Sequence, residues 1–589
     1  MGTSVVLGLN SAYHEDSAAL LVDGRIAAFV EQERFSRRKH SKYSCIDNSD
    51  MLPFEAIEYC LKEGGARFSD LDAVCYSILP TERLVRNIQY AGGGLPVRSG
   101  DWGSPTGEII FHRHNMNVLE KLREHYGCSV ADKFFFFEHH KCHAASAFFA
   151  SGFSSAAVLV VDGIGEFATA WLGHGCRKRG LKCLRTVDFP HSIGMLWDRL
   201  VEFCGFHYYD SSHLMGLAGY GKPSGFIEKL EKLLPLSDEM LFTVDNAILT
   251  FRCEARDEEF NTDGASHLQY LSDYLGLKPR KTDTELSADY MNLAYATQCV
   301  VERRLTHLAE WLREHTGEES LCLAGGVALN CVANGMIAKG SSFRKLWVQP
   351  ASNDAGTALG AAYLYAHLAS GGLPPGGMTH NYTGPQYDDA QIRQVLVESG
   401  LRHEKLDEDS LIGTTASLIE QGNIVAWFQG RMEVGPRALG NRSILADPRL
   451  GDVSTIINQR VKHREWFRPL CPSVLKDRVS DWFNMPENGE NLAKYMLIAC
   501  ETREDKRSLV PAVVHVDGTA RVHAVEKDIN PLFHALISRF DELTGIPILL
   551  NTSFNIRGPI VCSPRDAVAC FVDSDMDALC IGPFLARKE

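Results

Sequence analysis

The sequence predicts a mixed α/β protein of two unequal domains, and three observations carry that reading. Short apolar runs at residues 4–9, 156–161 and 320–324 each end in a turn of small or acidic residues. A long amphipathic stretch at roughly 287–315 reads as helix. Residues 369–385, "ASGGLPPGGMTHNYTGP", form the best linker in the chain, which at 589 residues exceeds a single hydrophobic core.

The elements follow in order. Residues 17–22 and 25–30 flank Asp23-Gly24, a strong hairpin signal, and the loop before them is "NSAYHED". The 156–161 strand ends at Asp162-Gly163-Ile164-Gly165-Glu166. In the long helix Met291, Tyr295, Val301, Leu305, Leu308 and Leu312 recur at helical spacing, and Gly317 lies just past its end. The 320–324 strand ends at Gly325-Gly326 and enters an alanine-rich helix, "VALNCVANGMIA". Beyond the linker come helical patterns at 392–398 and 411–421, a strand at 424–428, and a late strand at 546–550 leading into "NTSFNIRG". "PAVVHVDGTARV", residues 511–522, reads as a short hairpin around Asp517-Gly518.

Composition excludes several classes. The formal net charge is -14, which disfavours a broad nucleic-acid surface. The apolar runs are too short to span a membrane, and no signal-peptide pattern is visible. The 17 cysteines contain no CxxC pair and read as buried thiols of a cytoplasmic protein.

Against that acidic background, residues 430–474 gather Arg431, Arg437, Arg442, Arg449, Arg460, Lys462, His463, Arg464 and Arg468. Guanidinium groups grip multi-oxygen anions through paired hydrogen bonds, so the island points to phosphates. Gly435, Pro436, Gly440 and Pro448 make "EVGPRALGNRSILADPR" read as loops and turns. Asn551, Ser553 and Asn555 follow the late strand and add polar groups suited to orienting a small acyl or phosphate group.

In the first domain, His139 and His143 are four apart in "EHHKCHAASAF", which on a helix puts both imidazoles on one face. Asp162 at a strand end and Asp354 after Asn353 are candidate carboxylates. Two imidazoles with one or two carboxylates suit iron(II) or another borderline divalent ion. Gly163, Gly165, Gly325 and Gly326 permit close approach of backbone amides to phosphate. His14, beside Glu15 and Asp16, is a candidate general base.

Taken together, "GRMEVGPRALGNRSILADPR", "VKHREWFRPLCPSV", "HVDGTARV", "LNTSFNIRGPIV", "HHKCHAASAF" and "GGVALN" resemble the NodU/CmcH-type O-carbamoyltransferases almost end to end. The resemblance implies an N-terminal, two-lobed actin-like (ASKHA, ribonuclease H-like) domain over 1–370, a linker at 371–385, and a YrdC-like domain over 386–589. The second domain is then expected to form carbamoyl-adenylate from carbamoyl phosphate and ATP, with magnesium, releasing phosphate and pyrophosphate. The first is expected to bind iron(II) through His139, His143, Asp162 and Asp354, and the adenylate through Gly163, Gly165, Gly325, Gly326, Asn330 and Asn353. It then passes the carbamoyl group to a hydroxyl of a small-molecule acceptor, with His14 and Asp16 as the catalytic pair. Carbamoyl phosphate and ATP would meet Arg437, Arg442, Lys462, Arg464, Arg468, Asn551, Ser553 and Asn555. One departure is Ala218 in "HLMGLAGYG", where a proline is expected. Neither nucleic acid nor membrane is expected as a partner, and a homodimer stays open. Two other readings also stay open: a tRNA threonylcarbamoyladenosine-type enzyme and a non-catalytic ATP-dependent switch of actin-like fold.

Overall fold

The computed structural model describes residues 4–91, 99–249, 251, 268–282, 284–372 and 376–588. Two compact units emerge: Met1–Gln32 with Ser41–Met378, and Glu33–His40 with Thr379–Glu589. Of the expected linker, residues 373–375 lie outside the described residues.

The larger unit repeats one topology. Its first sheet holds β1 (Val5–Asn10), β2 (Ser17–Val22), β3 (Arg25–Glu31), β4 (Ala73–Tyr76) and β5 (Phe134–Phe136), in the order β3-β2-β1-β4-β5. The first three strands form an antiparallel meander, and β4 and β5 run parallel to β1. The second sheet holds β6 (Ser155–Val161), β7 (Ala168–Cys176), β8 (Gly180–Asp188) and, after a short pair β9 (Leu236–Ser237) and β10 (Leu241–Phe242), β11 (Ser320–Ala324) and β12 (Lys345–Val348). Its order, β12-β11-β6-β7-β8, repeats the meander-plus-parallel pattern. Asp23 and Gly24 carry φ of 50° and 72°, the conformation that a two-residue hairpin turn requires.

Two helices lie between the sheets. Ala355–Ser370 covers β1, β2 and β4, His139–Ala150 covers β6 and β11, and the helices pack on each other. His139–Ala150 is almost wholly buried and Ala355–Ser370 is buried through Leu364, which their alanine-rich sequences permit. The expected long helix is Ala288–Thr316, with Ser287 before it and Gly317 ending it in the left-handed conformation. The alanine-rich stretch after β11 is broken at Asn330 into a 3-10 turn, Gly326–Leu329, and a helix, Cys331–Gly340.

The smaller unit holds β13 (Arg402–Lys405), β14 (Val425–Phe428), β15 (Arg442–Ala446), β16 (Cys471–Leu475), β17 (Ala499–Glu501), β18 (Thr519–Arg521), β19 (His523–Val525), β20 (Ile548–Ser553), β21 (Ala578–Ile581) and β22 (Phe584–Arg587). Eight of these form one mixed sheet, β13-β22-β21-β14-β15-β20-β16-β19. The basic stretch expected as loops thus contributes a strand, β15, which is buried along its whole length and paired with β14 on one side and β20 on the other. The expected 511–522 hairpin is also corrected. Its turn forms, with His515 N–H on the Thr519 carbonyl, but β18 pairs with β17 instead of folding back on 511–514. The described cysteines are free, and Cys45 and Cys183 are exposed rather than buried.

The segment Glu33–His40, which sequence reasoning did not single out, completes this unit's core. Phe35 packs against Met432, Ile560 and Cys562. Arg34 donates to the Gly435 carbonyl at 2.8 Å, and Arg37 donates to the Ile560 and Pro559 carbonyls at 2.7 and 2.8 Å. Arg37→Ala should therefore destabilise the protein by about 1–3 kcal/mol in denaturant titrations, since it orphans carbonyls at a core edge. A fragment 379–589 expressed alone should be less stable than the same unit in the whole chain.

Candidate functional site

His139 and His143 sit one turn apart on their buried helix. Asp162 follows directly after β6, and Asp354 heads the helix Ala355–Ser370. Their side chains converge. His143 Nε2 lies 3.1 Å from Asp162 Oδ2 and 3.6 Å from Asp354 Oδ1, and His139 Nε2 lies 3.6 and 3.5 Å from the same two atoms. One ligand atom from each group falls within 4.8 Å of the others.

Backbone geometry sets this spacing. A Cβ on Gly360 would fall 1.8 Å from the Cys142 carbonyl oxygen, so only glycine lets the two ligand-bearing helices approach this closely. A Cβ on Gly325, at φ 87°, would meet the Val161 carbonyl at 2.2 Å, next to Asp162. The Gly326 amide donates to Asp162 Oδ1 at 3.0 Å and leaves Oδ2 toward the imidazoles. His139 Nδ1 lies 3.1 Å from the Ser77 carbonyl, an acceptor only, so Nδ1 carries a proton and Nε2 is the ring atom turned to the carboxylates.

The donor set fits a divalent cation. Both Nε2 atoms are buried and make no hydrogen bond of ordinary geometry among the described residues. Burial opposes charge on His139, but Asp354 and Asp162 hold its pKa well above the usual value; His143 is raised likewise. Burial also opposes charge on Asp162 and Asp354, yet His139 and His143 hold the Asp162 carboxyl below its ordinary range, and His14, then His139 and His143, do the same at Asp354. Protons supply the positive charge that a metal ion would otherwise bring.

His14 belongs to this neighbourhood. Its pKa is raised against the effect of burial, by Asp354, Glu15 and Asp162 in that order. Its ring meets Tyr209 edge-on at 5.0 Å, and the Asn10 amide holds the His14 and Glu15 carbonyls at 2.9 and 3.1 Å. Glu15 carries φ of 55°, a strained setting for a residue with a Cβ. Asp16 differs: Ser41 donates to it at 2.8 Å and Lys42 pairs with it at 3.4 Å. Burial pushes its pKa up to about 6, with Lys42 pulling the other way. Lys42 also binds the Ser11 and Asn48 carbonyls, so Asp16 anchors the loop that carries His14.

Among the expected nucleotide contacts, Gly163 has open space beside it, and Asn353 keeps a buried Oδ1 without a hydrogen bond among the described residues. Others are already engaged. The Gly165 amide donates to Ala168 and its carbonyl receives Tyr13 and Arg83. Asn330 exchanges hydrogen bonds with Gln298 and caps Ala333, so its side chain holds the helix start.

In the smaller unit the basic island divides. Arg442 is buried against the carbonyls of Gln429, Gly430 and Pro385 with its guanidinium 3.6 Å from the Phe428 ring centroid. Arg437 is half-buried on the loop that the Glu433 carboxylate staples through the amides of Leu439, Asn441 and Arg442. Lys462, Arg464 and Arg468 act on one another. Buried Lys462 donates to Ser553 Oγ at 3.0 Å and Asn555 Oδ1 at 2.8 Å. Burial, then Arg464 and Arg468, depress its pKa well below normal. Burial and Arg468 lower Arg464 to about 9. His463 between them has φ of 45°. A buried lysine held among like charges and neutral acceptors suits an anion.

Residues 5–363 match the family model described as carbamoyltransferase N-terminus, and residues 416–588 match carbamoyltransferase C-terminus. The chain belongs to the carbamoyltransferase family. It is 36% identical over 620 residues to the uncharacterized protein sll1178 of Synechocystis, covering 99% of this chain and 96% of that one. With nodulation protein NolNO of Sinorhizobium fredii it shares 34% over 584 residues, covering 98% and 80%. With nodulation protein U of Rhizobium fredii it shares 29% over 575 residues, covering 95% and 90%. Solved structures are more distant. Component A of Acidaminococcus fermentans (R)-2-hydroxyglutaryl-CoA dehydratase has TM-score 0.33 at 13% identity, covering 62% of this chain and 99% of that one. HypF of T. kodakarensis has 0.32 at 14%, covering 63% and 49%. Likenesses of that size carry no argument about this chain.

This carbamoyltransferase, of the NodU/CmcH type, is a carbamoyl-transferring enzyme. No helix among its described residues is long and apolar enough to cross a membrane. Sequence reasoning missed several supports of its site. Ser77 acts through a backbone carbonyl, which no side-chain pattern reports. Glu166 was visible only as part of a turn, yet its carboxylate accepts the His139 and Leu79 amides at 2.9 and 2.8 Å.

Two measurements test the cluster. Calorimetry with iron(II) or zinc alone should show affinity rising from about pH 6 to about pH 8, because binding must displace protons from imidazoles whose pKa is raised. Gly360→Ala should weaken that binding at least about tenfold and lower stability by about 1–3 kcal/mol, because the new methyl group forces the helices apart.

Proposed function

We propose that this carbamoyltransferase makes carbamoyl-adenylate from carbamoyl phosphate and ATP in its smaller unit, and transfers the carbamoyl group to a hydroxyl of a small molecule in its larger unit. The observation that carries the reading is Lys462: a buried lysine held by Ser553 and Asn555 and pressed by Arg464 and Arg468. Such a basin favours phosphate-bearing donors and stabilises charge that builds on their oxygens. The repeated meander-plus-parallel topology supports an actin-like reading of the larger unit. A YrdC-like reading of the smaller one rests on the resemblance.

The chemistry balances in three steps. Water releases phosphate from carbamoyl phosphate, a carbamate oxygen attacks the α-phosphorus of magnesium-bound ATP, and pyrophosphate leaves. An acceptor hydroxyl then attacks the carbamoyl carbon and AMP departs. His14 takes the hydroxyl proton; its buried setting among carboxylates favours holding it. Gly163 and Asn353 border the space for the adenylate. A divalent ion such as iron(II), held by His139, His143, Asp162 and Asp354, would supply Lewis acidity toward the carbamoyl oxygen or the adenylate phosphate.

The half-reactions separate the two units. His139→Ala should abolish transfer while pyrophosphate release, dependent on both ATP and carbamoyl phosphate, persists. Arg468→Ala should cut that release by about 100-fold or more. Equal loss of both half-reactions in His139→Ala, or ATP turnover indifferent to carbamoyl phosphate, would sink the reading.

A further inference from the structure

On the strand that carries Ser553 stands a buried acceptor with no donor among the described residues. Asn551 and Ser553 are two apart on β20 and so share a face of the sheet. Ser553 meets Lys462. Asn551 stands opposite Cys471 on β16, and Cys471 Sγ receives Arg521 Nε at 3.1 Å. Asn551 is fully buried, yet its Oδ1 makes no hydrogen bond among the described residues.

The orientation of this amide is fixed. Its Nδ2 donates to the Ala438 carbonyl at 3.2 Å and to Ser473 Oγ at 2.9 Å. A carbonyl cannot donate, so the amide cannot turn over without losing that bond. Ser473 Oγ lies 2.8 Å from His523 Nδ1, paired with it across β16 and β19. Burial lowers the His523 pKa to about 3, so its ring is neutral near pH 7 and Nδ1 can accept the serine proton. The serine hydroxyl thereby keeps a lone pair for Asn551. A buried oxygen left unmade costs free energy unless a ligand supplies a donor.

We infer that Asn551 Oδ1 reads the carbamoyl N–H of the donor, and that Ser473 and His523 are positioning residues that hold it in that role. The inference rests on the donor reading proposed above. Lysine and arginine recognise the phosphate half and cannot tell carbamoyl phosphate from acetyl phosphate, in which a methyl group replaces the amino group. Only an acceptor facing that group can do so, and a site with a buried unpaired acceptor rejects the analogue.

The test compares the two donors in ATP-dependent pyrophosphate release by the full chain. The unaltered enzyme should strongly favour carbamoyl phosphate. In Asn551→Leu, kcat/KM for carbamoyl phosphate should fall about 100-fold while that for acetyl phosphate changes little, so the discrimination collapses. Ser473→Ala should lower the ratio about tenfold, mostly through KM for the donor and with the KM for ATP unchanged. Should Asn551→Leu fail to fold, the Ser473→Ala ratio decides. Undiminished discrimination in the folded variants overturns the inference and leaves the donor reading intact. Absence of carbamoyl-phosphate-dependent release by the unaltered enzyme overturns the donor reading and the inference with it.

Discussion

Two helices must nearly touch for this site to exist. The helix bearing His139 and His143 and the helix headed by Asp354 cross at Gly360, where the Cys142 carbonyl takes the space of a side chain. Across β6, Gly325 lies as close to the Val161 carbonyl, which brings the Gly326 amide onto Asp162. Sheets and helices elsewhere in the unit tolerate shifts of a few tenths of an ångström. A set of four ligand atoms gathered within 4.8 Å does not. The alanine-rich composition of both helices is the sequence-level form of this constraint, because small side chains are what let buried helices approach each other and two sheets at once.

The same logic extends to charge. The larger unit buries two carboxylates against two imidazoles that become cationic only by taking protons. The smaller unit buries Lys462 among arginines. Each arrangement is costly by itself, since a buried charge without a matched partner loses several kcal/mol of hydration. An ion of opposite sign would relieve each, and its binding would then be linked to stability. The net charge of -14 conceals this, because the charges that matter are those removed from water.

The legible parts of the sequence were those with local geometry. His139 and His143 were readable because an i, i+4 spacing fixes one helix face, and Asp162 because a strand end is a place where side chains emerge. The basic island was readable as composition but not as a division of labour. Arg442 and Arg464 look alike in sequence, yet one meets carbonyls from distant loops and the other meets like charge. Asn330 was named only through the family resemblance, and its engagement with Gln298 is set by a separate helix, Ala288–Thr316. Asn551 was readable as a polar residue at a strand end; that only its oxygen is left over depends on Ala438, Ser473 and His523.

The excursion at Glu33–His40 shows why the domain boundary is not a single cut. So short a helix has no stability of its own, and it is ordered by Met432, Ile560 and Cys562 packing on Phe35 and by carbonyls that receive Arg34 and Arg37. Both ends of the excursion close on one residue: the Gln32 amide donates to the Asp16 carbonyl, while Ser41 and Lys42 hold the Asp16 carboxylate. The loop that carries His14 is therefore anchored by the residues that flank the excursion. The carbonyls that receive Arg37, Pro559 and Ile560, belong to the same stretch of chain as Asn555, which meets Lys462. The division between the units therefore follows the packing of this short segment, which leaves the larger unit after Gln32 and returns to it at Ser41.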